Sequence, residues 1–317
     1  MSATLLIPLG AWLALRWSTG PVLPIRSPST APAKDGAAAA PRSPIRRPAP
    51  PGSAVDPNLP LYRGDTRRIA AQAIDDTAAA PFDEALVALG LRFQGTPWRR
   101  PRSGPMDYER LEIDLTTLDD LSYVEQLIAL VNSRRVKTRT EAVDRTTDHV
   151  RWLRYGNGRV EPCQRLSRPG LWALAAQRRG YLVDLSRFLP GAKQGRVPTL
   201  PSPSAASGVT VRRHCRRGPK TPAEVPMAFV PLAEVRGSLP SLRSGDVFVL
   251  VETAEKPGHS RIGLVEIRAG KVGSMMAVPG RGVISDPDLL RLARETPATV
   301  GIAFLRPIPN EDGRAER

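Results

Sequence analysis

Few residue types in this chain can attack a carbonyl or move a proton near neutral pH. Two cysteines, Cys163 and Cys215, and three histidines, His149, His214 and His259, occur in 317 residues. A cysteine becomes nucleophilic when neighbouring positive charge lowers its thiol pKa. Cys215 has such a setting in VRRHCRRGPK, among Arg212, Arg213, His214, Arg216 and Arg217. A displaced nucleophile, an incidental loop cysteine and a disulfide partner for Cys163 are the open readings of that position. His259 is a candidate base only if a thiol stands near it, and His149, in TTDHVRWLRY, is expected on a helix surface. The cysteines show no CxxC pair, and the scattered histidines have no ligand spacing. The expectation is therefore no metal site, and no cofactor.

The elements that would position such residues are legible as two textures. FDEALVALGLRF (82–93), LDDLSYVEQLIALVNS (118–133) and LWALAAQRRG (171–180) have helical spacing. In the second, Leu121, Val124, Leu127, Ile128 and Leu130 form one apolar face. Asp119 and Asp120 stand at its start, where a carboxylate caps free amides and opposes the positive end of the dipole. Gly180 can stop the third. After a Pro-rich, basic stretch from about 191 to 226, strands are expected at DVFVLVE (246–252), RIGLVEI (261–267), KVGSMMAV (271–278) and TVGIAFLRP (299–307). RAGK between the second and third strands suggests a hairpin. Helices first and an antiparallel meander afterwards is an α+β arrangement.

Composition adds partners rather than chemistry. The formal charge is +15 with 41% apolar residues, and the pI is near 10.8. Anionic partners follow: nucleic acid, lipid headgroups or the acidic polymers of a cell envelope. The basic clusters WRRPR (98–102), SRRVKTR (133–139) and RRHCRR (212–217) have no helix-turn-helix or stacking-aromatic platform beside them, and only 5% of residues are aromatic. Nucleic acid is therefore not the expected partner. Residues 1–17 carry an apolar run, LLIPLGAWLALR, of the size of a signal-peptide core and short for a membrane span, without the usual charged residues ahead of it. Export to a periplasm or cell envelope is expected, with signal peptide and membrane anchor both open and a cytoplasmic location as the alternative. Residues 18–60 read as a disordered Pro/Ala-rich linker, and 61–317 as the folded domain.

LRSGDVFVL, HSRIGLVEI, SMMAV and GRGVIS resemble the sheet of the NlpC/P60 superfamily, in which a Gly-Asp precedes one strand and a catalytic His opens the next. The helical half is similar to one branch of it. RFQGTPW (92–98), ERLEIDLTTLDDLSYVEQLIAL (109–130), LRYGNGRV (153–160) and QRLSRPGLWALAAQRRGYLVDLS (164–186) look like the N-acetylmuramoyl-L-alanine amidase-like (DUF1460) proteins. The resemblance runs from about 82 to 307. It implies a papain-like fold in which the helix carrying the nucleophile packs on an antiparallel sheet.

It also implies a site from which the chemistry has gone. The family motif Asp-Cys-x-Thr/Ser-Tyr/Phe-Val-Glu places its Cys on Asp120, its Asp on Asp119, and the rest on Ser122, Tyr123, Val124 and Glu125. The catalytic His falls on Arg261, which stays protonated and cannot be a general base. The His of His-Ala-Ser falls on Met276, and the His of Arg-x-His on Ser167, two after Arg165. A second register, with DLTT (114–117) on the motif, puts Leu115 where the Cys belongs. Asp120, Arg261 and Met276 are thus triad-equivalent without an intact catalytic group, and Asp119, Ser122, Tyr123, Arg165 and Ser167 are expected to line the cleft. Asp120 and Arg261 either form an ion pair or separately cap a helix and meet water. The leading expectation is an inactive amidase-like domain that binds peptidoglycan peptide or another envelope component. A hydrolase with a rearranged site and a basic adaptor working through its linker and arginine patches are the alternatives.

Overall fold

The computed structural model describes residues 59–99, 109–136, 138–161, 164–198, 224–252 and 261–310. Cys163, Cys215, His214, His259, and the expected leader and linker up to residue 58 lie outside the described residues.

Five helices form one layer: α1 (Thr66–Thr77), α2 (Phe82–Arg92), α3 (Asp120–Asn132), α4 (Arg139–Arg154) and α5 (Pro169–Arg178). α3 is the central one. Every residue from Tyr123 to Val131 is buried, because α1, α2 and α4 surround it and the sheet closes its remaining side. A helix apolar around most of its circumference is stable only in such a place. α4 reads as polar in sequence, yet it buries Val143, Val150 and Leu153 against this layer.

The sheet is antiparallel throughout. Its strands β3 (Leu182–Asp184), β4 (Lys193–Pro198), β5 (Glu224–Pro231), β6 (Val247–Glu252), β7 (Ile262–Arg268), β8 (Lys271–Val278), β9 (Gly282–Asp286) and β10 (Thr299–Pro307) run in the order β4-β5-β10-β6-β7-β8-β9, with β3 paired to the end of β10. A parallel pair, β1 (Leu61–Tyr62) and β2 (Glu112–Ile113), stands apart. Two short helices, α6 (Val235–Ser238) and α7 (Leu289–Glu295), cover the face away from α3.

Alternation sorts the side chains between the two faces. Val247, Val249, Ile262, Leu264, Met275 and Ala277 join the core with the helical layer. Phe248, Leu250, Val265, Met276, Ile302 and Phe304 form a second core with α6 and α7. β6 is buried at all six positions, as a strand covered on both faces must be.

The expected helices and strands are found within about two residues of their predicted ends, the ordinary uncertainty of such boundaries. The RAGK hairpin is a two-residue turn with Ala269 at φ 48° and Gly270 at φ 74°, the left-handed pair that matches strand twist. The 191–226 stretch, expected only as Pro-rich and basic, contains β4 and the start of β5, paired from Lys193↔Phe229 to Pro198↔Glu224. β4 is an edge strand, where proline and charge are tolerated. β10 is not the last strand of the meander but lies between β5 and β6. Gly301 permits this: a Cβ there would stand 2.4 Å from Phe229 Cδ2 and 2.5 Å from the Val230 carbonyl.

Candidate functional site

The start of α3 faces the entry of β7, and each residue expected there has a defined task. Asp119 is the N-cap, in extended backbone. Its Oδ1 accepts from the Ser122 amide at 2.8 Å, and its own amide donates to Ser122 Oγ at 2.9 Å. This reciprocal box satisfies two amides that the helix leaves free. Asp119 and Ser122, expected to line a cleft, therefore turn Asp119 Oδ1 and Ser122 Oγ to the helix itself. Tyr123, expected beside them, is fully buried, and its hydroxyl donates to the Gly90 carbonyl at 3.2 Å. Burial and the nearby charge of Glu266 push its phenol above the ordinary range. Tyr123 is part of the core under the helix start.

Asp120 is the first helical residue and is half-buried. Loss of water pushes its carboxyl up to about 7, with the charge of Asp119 adding to the effect. The charge of Arg261 and hydrogen bonds from the helix amides work the other way and are weaker. Arg261, half-buried, stands immediately before β7, and its carbonyl accepts from the Leu250 amide at 2.9 Å. The structure thus brings Asp120 and Arg261 within electrostatic reach of each other. The two side chains form no ion pair with each other, so the expected contact is a longer-range attraction.

Met276 is elsewhere. It is 1% exposed and belongs to the core under α6 and α7, on the sheet face opposite α3. The residues of β8 that face the helical layer are its neighbours Met275 and Ala277. Met275 lies against the α2–α3 contact, since a Cβ on Gly90 would stand 3.0 Å from both Met275 Cε and the Tyr123 hydroxyl. A period of two along a strand makes a one-residue difference a change of face.

Arg165 is tied to Glu109 Oε1 at 2.9 Å, and the Tyr155 hydroxyl donates to the same oxygen at 2.8 Å. Ser167 is exposed. Behind them lies a pair that the sequence reading did not single out. Glu125 Oε1 accepts from Arg154 Nε at 2.9 Å and Nη2 at 2.5 Å, and Arg154 also donates to the Glu112 carbonyl. Burial pushes the Glu125 carboxyl above its ordinary value, and Arg154 opposes this. Asp119 acts electrostatically on both partners, so the capped helix start and the buried pair form one charge network. The available signal was a glutamate within the apolar run of α3.

His149 is corrected. Expected on a helix surface, it is 2% exposed, with Nδ1 2.8 Å from the Tyr181 hydroxyl and the two rings edge to face. Burial, helped by the Arg145 charge, lowers it to about 4. Neutral and enclosed, it does not reach the start of α3 as a base. Among the described residues, no group of three or more His, Cys, Asp and Glu is arranged to hold a metal ion, and no helix is long and apolar enough to cross a membrane.

Comparison of the sequence with protein-family models and with curated proteins gives no match. Solved structures do match. An N-acetylmuramoyl-L-alanine amidase from Bacteroides uniformis is similar over 71% of this chain and 98% of its own, with a TM-score of 0.60 and 18% identity. A DUF1460 protein from Legionella pneumophila is similar over 77% and 94%, with a TM-score of 0.61 and 12% identity. A Bacteroides fragilis protein provisionally named a xylanase is similar over 69% and 99%, with a TM-score of 0.58 and 20% identity. At such identities the shared property is the fold, which hosts more than one named activity.

Proposed function

We propose that this chain is a papain-like domain of the NlpC/P60 kind that binds peptidoglycan peptide, or a related envelope component, without cleaving it. The carrying observation is the first residue of α3. A cysteine hydrolase of this kind needs a thiolate at that place, where helix amides and an imidazole stabilise it. In our reading Asp120, the first residue of α3, stands at that place and Arg261 at the place of the imidazole. A carboxylate in the field of a permanently charged guanidinium is a poor nucleophile toward an amide, and the guanidinium cannot act as a base. The same two groups can still hold a peptide, Arg261 through a carboxylate and Asp120 through an amide or ammonium group.

The remaining parts of the reading concern location. Residues 1–17 would direct or anchor the chain to the envelope, 18–60 would hold the domain off the surface, and 61–317 would form the domain. The basic charge of the chain, +15, suits an acidic wall polymer.

Isothermal titration of the purified full chain with muropeptides, followed by mass spectrometry of the mixture, tests this. The expected result is saturable binding, weakened in Arg261→Ala, with the peptide recovered intact. Product release that is abolished by Cys215→Ala would overturn the reading in favour of a rearranged hydrolase, and absence of binding would overturn it as well.

A further inference from the structure

β7, β8 and β9 extend beyond the cover of α2 and α3, and on the helix-facing side their side chains turn from apolar to charged. Ile262 and Leu264 of β7 are core, whereas Glu266 and Arg268, next on the same face, line an open groove of about 520 Å³ with Gln94, Lys271, Arg281 and Ser285. That volume is within the ~300–1,000 Å³ of small-ligand sites. Asp120 and Arg261 are not among its lining residues.

The groove carries one acid and three cations. The acid is already occupied: Glu266, 4% exposed, accepts from the Ser285 hydroxyl and is ion-paired with Arg268. Lys271 and Arg281 are exposed, and neither is in an ion pair with a described residue. Two cations without a partner among the described residues share one concavity, which concentrates positive potential and attracts a counter-charge. Arg281 offers a planar fork suited to a carboxylate or a phosphate, and Lys271 a mobile point charge. Gly273, also in the lining, keeps the floor free of a side chain, since a Cβ there would stand 2.3 Å from the Asp286 carbonyl. The Asp286 carboxylate is held by Arg291 on the opposite face and does not neutralise the groove.

We infer that this groove is a binding site for a small dianion, a dicarboxylate or a phosphate group, with Arg281 and Lys271 as its ligating cations. It goes beyond the proposed peptide site and stands without it. Isothermal titration of the full chain at low salt with inorganic phosphate and, separately, with glutarate tests it. One saturable site is expected for at least one of them, and the tighter of the two identifies the group. The double variant Lys271→Ala/Arg281→Ala should weaken binding at least about tenfold. Arg236→Ala/Arg294→Ala, which removes the same charge from α6 and α7, should leave it within about twofold. Absence of saturable binding to either anion, or equal weakening by the two double variants with unchanged melting temperatures, would overturn the assignment.

Discussion

Replacing Asp120 by asparagine removes a proton-binding group and leaves the shape of the helix start almost unchanged. In the folded chain this carboxyl is held up at about 7, first by burial and second by Asp119, whereas its ordinary value is 3.8. Between those values the folded chain binds more protons at this site than the unfolded chain does, so stability falls as the pH rises. The contribution is fully present below about pH 4, is lost on passing through 7, and stays lost above. Carrying the pKa from 3.8 to about 7 corresponds to about 4 kcal/mol. Water reaching the half-buried carboxyl reduces this to roughly 2 kcal/mol. The attraction of an ionised carboxylate for a helix start, about 0.3–1 kcal/mol, acts oppositely and is smaller. Asp120→Asn should therefore stabilise the chain by about 2 kcal/mol at pH 8.5 and by less than about 0.5 kcal/mol at pH 4. Urea unfolding at both pH values gives the two increments directly. Arg261→Ala should enlarge the gain from Asp120→Asn at pH 8.5, because the positive charge of the guanidinium favours the ionised form. An increment from Asp120→Asn that is the same at both pH values would refute the reasoning.

His149 should produce a loss of stability in acid. Its folded value, about 4 against the ordinary 6.5, means that the unfolded chain binds the extra proton, so this stability is present above pH 6.5 and lost as the pH falls toward 4. The limit is about 3 kcal/mol, and His149→Gln should flatten the melting temperature between pH 7 and 4.5; an equally steep fall in the variant would rule His149 out as the cause. At the β7–β8 turn, Ala269 holds φ 48° with a methyl group, a conformation costing about 1 kcal/mol for a residue with a Cβ. Ala269→Asn or Ala269→Gly should raise the unfolding free energy by about 0.5–1 kcal/mol, and a lower denaturation midpoint would show that the turn is not left-handed in solution.

The elements legible in the sequence were those whose apolar period coincided with their burial. α3 could be read because its apolar residues crowd one short run, and the β7–β8 hairpin because Ala269-Gly270 separates two alternating segments. α4 could not, since arginines and threonines outnumber its apolar residues and its burial comes from neighbours distant in sequence. That context also explains His149, which is polar on its own helix but enclosed by Tyr181, 32 residues away. At the candidate site, the helix start and Asp119 as its cap were legible from local chemistry. The face occupied by Met276 required the register of β8, and the partner of Glu125 required the packing of α4 on α3. Neither is contained in a motif.

β10 occupies the centre of the sheet, between β5 and β6, and its last residues also hold β3. A chain growing from its N-terminus makes β5 through β9 before the strand that joins β5 to the rest exists. Until then β6 has an unpaired edge, a row of amides and carbonyls open to any passing strand. Synthesis from Glu252 to Pro307 takes on the order of 3–10 s at about 5–20 residues per second. Folding of this domain is therefore a late and largely non-local event, timed by its last strand rather than by its helices. A molecule that ends before Thr299 would have every helix of the α3 layer and still no continuous sheet beneath it.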